Sequence, residues 1–290
     1  MTNNFSFVEA ELDSDTRLIT NIFQSAELEI IDSIKGKNLW RDSDRLQMLK
    51  QIKTILKDCE AQSVSQIEPL IAQYYEKGGQ SVEDIVGKKG VFQLIDKDAL
   101  SFVVASLPEI QSGFQEEIRS LMSNSFSNIA SSLNLVKKEL RSDILGEIGK
   151  AQIIGKSRDK LAQELVNKLE NDGITGFKIP DPTTNSGERN YSLKAYVHGL
   201  TQSTLINSRA SATIQRAIEL GQDLLKISSH SKPSPMCQMW QGKIVSITGS
   251  NTKYPKLSDA QVKGYKRGGI FHRYCRHSLT VFIESNVVFK

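Results

Sequence analysis

An apolar repeat that runs for 35 residues constrains this chain more than any other feature. Phe114, Ile118, Met122, Phe126, Ile129, Leu133, Val136, Leu140, Ile144 and Ile148 follow one another at steps of three and four, the spacing that lines one face of an α-helix. At 1.5 Å per residue such a helix is roughly 50 Å long, beyond the diameter of an ordinary domain. The repeat therefore predicts a rod that packs against partners or lines an elongated assembly. Two shorter helices, divided near Gly146 and Gly149, are the competing expectation.

Helical periodicity dominates the rest of the first 222 residues. Leu18, Ile22, Ala26, Ile30 and Ile34 form one stripe that ends at Gly36, and Leu46, Leu49, Ile52, Leu56 and Cys59 form a second. The second stripe makes Cys59 a small core residue and not a reactive thiol. Pro69 is expected to kink or divide the helix heading for the Gly78-Gly79 break. Ser157 reads as the cap of a helix with Leu161, Leu165 and Leu169 on its inner face and Asp172-Gly173 as its stop. Two prolines, two glycines and several turn formers mark Gly176 to Asn190 as a loop. A further helix is predicted from about Ser192 to Leu220, with Gly221 ending it.

After Gly221 the texture changes. Leu224–Ile227, Ile244–Ile247 and Leu279–Ile283 are short β-prone runs, and Ser258 caps one small helix reaching about Lys266. The expected fold is a predominantly α-helical N-terminal body with long helices, plus a small α+β C-terminal module. The expected divisions are 1–105 for an N-terminal helical region, 106–222 for the long-helix body and 223–290 for the module.

Composition narrows the class. Hydrophobic residues are 39% and charged residues 24%, a globular balance. Aromatics at 7% argue against an all-β sandwich. No apolar run approaches the ~20 residues of a membrane helix, so no membrane partner is expected. The polar, acidic opening MTNNFSFVEAELDSD carries no secretory pattern. Three cysteines suit a reducing cytoplasm. The net charge of +4 is unevenly placed: residues 223–290 hold 11 Lys and Arg against 3 Asp and Glu, and the remainder 26 against 30. A basic module on an acidic body suits a polyanionic neighbour, and equally a solvated surface.

Chemistry-bearing residues concentrate in that module. His272 and Cys275 form an H-x-x-C pair, and Cys237 and His230 could complete a tetrahedral zinc site. A stronger signature would pair Cys237 with a second cysteine, but Ser234 stands three positions earlier. The competing reading makes Cys237 and Cys275 core residues, with the histidines bonded to backbone. His272 and His277 could alternatively supply acid and base for RNA cleavage, with Lys243 or Arg276 neutralising a phosphate. No Walker loop, dinucleotide-binding glycine pattern, H-E-x-x-H or G-x-S-x-G is present. The segment Lys263 to His277 interleaves aromatic and basic residues, which offers Lys263, Lys266, Arg267, Arg273 and Arg276 as nucleic-acid contacts. Phe271 and Trp240 read more naturally as core anchors.

Taken in order, these residues resemble a known family. Ser229-His230, Cys237, Trp240-Gln241-Gly242-Lys243, Val245-Ser246, Tyr254-Pro255, Gly269-Ile270-Phe271-His272 and Cys275-Arg276-His277-Ser278-Leu279 resemble the C-terminal signature of tailed-phage minor capsid proteins. The type is minor capsid protein two, related to the phage Mu F-like head-morphogenesis proteins. Asn207-Ser208-Arg209, Gln215-Arg216 and Glu219-Leu220-Gly221 resemble the helix leading into that signature. The match is specific over about the last 130 residues and looser upstream. The family often has a second cysteine where Ser234 stands, and Pro-Asn where Arg273-Tyr274 stand.

The resemblance implies a structural or morphogenetic protein of the virion head, made in the host bacterial cytoplasm and not an enzyme. Its implied partners are portal or capsid proteins of a multi-subunit assembly, together with packaged DNA. Zinc is the one candidate cofactor. Some Mu F-like relatives carry toxin or nuclease extensions, for which this chain leaves no room after its signature. A phage-borne nuclease or nucleotidyl-modifying effector, working through His272, His277 and Arg276, is the alternative function. A nucleic-acid-binding adaptor is the third.

Overall fold

The structure, a computed structural model, describes residues 4–35, 37, 39, 41–87, 107–146, 153–174, 177–180, 187–260 and 269–284. Five helices form the body: α1 (Asn4–Ile34), α2 (Asp42–Val86), α3 (Leu107–Gly146), α4 (Ile153–Asp172) and α5 (Leu193–Glu219). A two-stranded antiparallel hairpin, β1 (Phe177–Pro180) and β2 (Glu188–Tyr191), links α4 to α5 and pairs Phe177 with Tyr191. The module follows as β3 (Leu224–Ile227), a 3-10 turn at Gln238–Trp240, β4 (Ile244–Ser246), α6 (Leu257–Ala260) and β5 (Leu279–Val281). β3 is the central strand and pairs antiparallel with both neighbours, so Leu225 faces Val245 on one side and Val281 on the other. Those three residues are buried while Lys226 points to solvent, the alternation of a one-sided sheet. The molecule is thus a long-helix body with a small α+β module at its C-terminal side. No helix among the described residues is long and apolar enough to cross a membrane.

The 40 residues of α3 run unbroken to Gly146, a rod of about 60 Å. Phe114, Ile118, Met122, Ile129 and Leu133 are buried along it, with Phe126 partly so. Ile148 lies outside the described residues. In α1 the inner face is carried by Leu12, Ile19, Phe23, Ala26, Ile30 and Ile34, while Leu18 is 47% exposed. Residues spaced strictly by four advance about 40° per step around a 3.6-residue helix. Leu18 and Ile34 therefore cannot share one face. In α2 the same holds for Leu46, which is exposed in the first turn while Met48, Ile52, Ile55, Leu56 and Cys59 are buried. Burial pushes the Cys59 thiol up to about 12, consistent with an inert core sulfur.

Three local expectations change. α2 continues through both Pro69 and Gly78-Gly79. Ile67 and Ile71 are fully buried on either side of the proline, and their packing offsets the ~3 kcal/mol that an interior proline costs. Ser157 lies inside α4, which begins at Ile153. The segment read as a loop from Gly176 contains the β1–β2 hairpin, which Ile174 and Phe177 anchor in the core. The end of α4 does follow the sequence: Gly173 adopts φ 66° and its N–H bonds the Leu169 carbonyl at 2.9 Å. Ser192 caps α5 by accepting from the Ala195 N–H at 3.3 Å.

Gly78 is needed because α5 passes directly over it. A Cβ there would stand 2.2 Å from the Arg209 carbonyl oxygen, a backbone atom that cannot step aside. Around that point Thr213 Oγ1 donates to the Gly78 carbonyl at 3.2 Å and Ser208 Oγ to the Ile71 carbonyl at 2.8 Å. Tyr75 Oη donates to Gln215 Oε1 at 2.6 Å. These three hydroxyls thereby tie the close pair together across its buried face.

One buried cluster runs through α1 to α5. A second joins Val82 of α2 and Ala210, Ile214 and Ala217 of α5 to Leu225, Ile227, Val245, Leu257, Ile270 and Leu279 of the module. Phe271 packs against both. At the start of β3, Asp223 accepts from Ser246 Oγ at 2.5 Å, Thr248 N at 2.9 Å and Thr248 Oγ1 at 2.7 Å. Burial opposes its charge, but these bonds outweigh burial and hold its carboxyl below the usual aspartate value.

Three consequences are measurable. Gly78→Ala should lower unfolding free energy by at least about 2 kcal/mol, as overpacking against backbone does. Gly113→Ala, at an exposed site of α3 with open space around it, should raise it by about 0.5–1 kcal/mol; chemical denaturation checks both. Asp223→Asn should destabilise at neutral pH. A depressed carboxyl stabilises above its unfolded pKa and loses that contribution as pH falls through the folded one. The difference between wild type and variant should therefore shrink below about pH 4 in thermal melts at successive pH values.

Candidate functional site

The site is built on the turn between Ile270 and Ser278. Cys275 N–H bonds the His272 carbonyl at 2.9 Å and closes a tight turn. Phe271 and Tyr274 both take left-handed backbone, φ 68° and 66°, a strained choice for aromatic residues that must be held by surrounding contacts. The contacts are visible. Tyr274 lays its ring on α5 at Gly199, where a Cβ would approach the ring to 2.6 Å, and its hydroxyl donates to the Ala195 carbonyl. Gln202 of α5 donates to the carbonyl of Tyr274 at 3.4 Å.

This fold of the turn points His272 and Cys275 toward Cys237, which begins the 3-10 turn ending at Trp240. The donor atoms of Cys237, His272 and Cys275 all lie within 4.8 Å of one another, and all three residues are buried. His272 Nδ1 lies 2.7 Å from the Arg273 carbonyl, which accepts its proton. Its Nε2 is buried and meets no polar group but Cys237. An imidazole pinned by a backbone carbonyl at one nitrogen and turned to a sulfur at the other is the arrangement of a metal-ligating histidine. Two sulfurs and an imidazole nitrogen form a donor set suited to Zn²⁺.

The electrostatics agree with that chemistry. A hydrogen bond from Cys275 holds the Cys237 thiol well below its ordinary value despite burial, with His272 and His277 acting in the same direction. The same bond, followed by burial, pushes Cys275 up, so one proton is shared by the pair. The backbone N–H groups of Phe271 and His277 favour the Cys275 thiolate. At His272 burial works against the charged ring, but interaction with Cys237 and the bond to the Arg273 carbonyl outweigh it and raise its pKa.

Of the four residues that the sequence offers as metal ligands, the structure brings together Cys237, His272 and Cys275. His230 sits one layer further out. Its Nδ1 lies 2.6 Å from Glu9 Oε1 of α1 and its Nε2 3.0 Å from Ser228 Oγ. The ring meets His277 edge to face, with centroids 4.7 Å apart. His277, offered by the sequence only as a catalytic base, is 1% exposed and places Nδ1 3.5 Å from Cys275 Sγ. A cavity of about 290 Å³ opens beside the cluster, walled by Lys232, Pro233, Ser234 and Arg276.

The candidate nucleic-acid residues divide. Lys263, Lys266 and Arg267 lie outside the described residues. Arg273 covers the Tyr196 ring at 4.2 Å and reaches Glu117 Oε1 at 3.4 Å, while Tyr196 itself donates to Glu117. Arg276 pairs with Asp13 of α1 at 3.1 Å. Both arginines are thus matched by carboxylates of the helical body. Trp240 is buried, with Lys243 Nζ 5.0 Å from its ring centre, and serves as a core anchor.

A family model described as phage minor capsid protein 2 matches residues 9–287. The chain belongs to that family. No curated protein and no solved structure matches the chain significantly. Membership of the phage minor capsid protein 2 family makes this a structural phage protein that belongs to a virion and hence to a multi-subunit assembly. The match spans the helical body as well as the module, so the signature and α1 to α5 belong to one family unit.

The joint at Gly199 can be tested directly. Gly199→Ala should destabilise by about 1–3 kcal/mol through overpacking, despite the better helix propensity of alanine. Hydrogen exchange should speed up across residues 269–284 while the central amides of α2 keep their protection.

Proposed function

We propose that this protein is a minor head component of a tailed phage or prophage, associated with the portal or the inner head, where it assists assembly, DNA packaging or delivery. The single observation that carries the reading is the family match over residues 9–287. The geometry supports a structural role for the signature in particular. Its turn is docked onto three helices of the body, through Tyr274 to α5, Arg273 to Glu117 of α3, and Arg276 and His230 to Asp13 and Glu9 of α1. A nuclease built on His272, His277 and Arg276 would need those groups facing a phosphate. Here all three border the cavity beside the cysteines, but the histidines are 8% and 1% exposed and turned to the sulfurs, and the arginine is paired with Asp13, which favours the non-enzymatic reading. The rod of α3 and the basic charge of residues 223–290 suit contacts with neighbouring subunits and with a nearby polyanion.

Quantitative mass spectrometry of purified virions or induced prophage particles tests this, with the protein counted per portal ring. A small fixed number of copies is expected. Abundant protein in infected cells with none in mature particles would overturn the reading in favour of a scaffolding factor or an effector.

A further inference from the structure

We propose that His277, and not His230, completes a four-donor zinc site with Cys237, His272 and Cys275, and that His230 is the outer residue holding His277 in place from α1. The argument begins with which nitrogens are free. A histidine ligand must offer a bare lone pair, and its other nitrogen is ordinarily oriented by a hydrogen bond. Both nitrogens of His230 have partners, Glu9 Oε1 at 2.6 Å and Ser228 Oγ at 3.0 Å. Ser228 Oγ also receives the Ser278 N–H at 3.0 Å, which fixes the hydroxyl next to the residue that follows His277. The His230 main chain is held as well, since its N–H donates to Gln241 Oε1 at 2.6 Å. Turning this ring toward the sulfurs would break its bonds to both Glu9 and Ser228.

His277 has the opposite character. It is 1% exposed, its Nε2 is buried without a hydrogen bond, and its Nδ1 already lies 3.5 Å from Cys275 Sγ. His272 stands with the two cysteines, its donor atom within 4.8 Å of both sulfurs, and both rings act on Cys237. Two buried imidazoles turned to two sulfurs, His277 through Nδ1 at Cys275 and His272 within the cluster, are four donors, the number that a structural zinc site uses. Two thiolates neutralise Zn²⁺, so the loaded cluster carries no net charge into a buried place, where an unpaired charge is costly. The edge-to-face contact of His230 on His277 then acts as an outer support, reaching back to Glu9. Zinc at this point would tie the Cys237 turn, the His272–His277 turn and the start of α1 into one unit. The inference stands apart from where the protein sits in a particle.

The test is X-ray absorption at the zinc edge on the full chain, purified with zinc and carrying one ion per chain. The expected spectrum shows two sulfurs at about 2.3 Å and two imidazole nitrogens at about 2.0–2.1 Å. His230→Gln should leave that spectrum unchanged and weaken zinc, read by competition with a chromophoric chelator, by no more than about 100-fold, the range for outer partners. His277→Ala should leave one imidazole. Loss of an imidazole in His230→Gln, one imidazole in the wild type, or a folded wild type that takes up no zinc would each overturn the proposal. Should His277→Ala fail to fold, the wild type and His230→Gln decide the matter alone.

Discussion

At Gly78 the backbone of α2 comes so near to that of α5 that no side chain fits between them, and both hydrophobic clusters are built outward from that line. Upstream of it, Ile67, Ile71 and Tyr74 of α2 face Leu200, Leu205 and Ile206 of α5 within the core of the body. Downstream, Val82 and Ala210, Ile214 and Ala217 form the floor on which the small sheet rests. A short three-stranded sheet has too little surface to bury its own inner face, so it depends on this helix pair. Arg216, near the end of α5, is bracketed by Glu83 of α2 at 2.5 Å and Glu219 at 2.6 Å. The approach of the two helices thus fixes the platform first and the position of the cysteines second.

What could be read from the residues follows from how local each cause is. The long helix under the Phe114 stripe, the strand Leu224–Ile227, the strand beginning at Leu279, the stop at Gly173 and the start of α5 near Ser192 depend on neighbours in sequence, and each was legible. The glycine pair Gly78-Gly79 was not. In isolation it reads as a helix break, and only the passage of Arg209 from 131 residues away shows why small residues are needed inside a continuous helix. The inner face of α1 was misphased at Leu18 because strict fours and the helical period diverge within three turns.

The candidate site divides along the same lines. His272 and Cys275 lie on one turn, and their H-x-x-C spacing shows in the sequence that both can reach one point. Cys237 joins them through the register of β4 against β3 and of β5 against β3. His230 was drawn into the same set by proximity in sequence to Cys237, yet Glu9 and Ser228 occupy both of its nitrogens. The orphaned Nε2 of His277 is the signal that distinguishes the two rings, and it exists only in three dimensions. Arg273 and Tyr274, between the two ligand candidates, hold the turn against Glu117 and Gly199.

The contacts of Glu9 with His230 and of Asp13 with Arg276 have a temporal side. Their partners lie 221 and 263 residues apart along the chain. A ribosome adding about 5–20 residues per second needs roughly 10 to 45 s to make the first of these intervals. For that time Glu9 and Asp13 are without the imidazole and guanidinium partners that they hold in the finished fold. The cysteine turn thus clasps a helix made long before it, and the body closes on itself only once that turn has emerged.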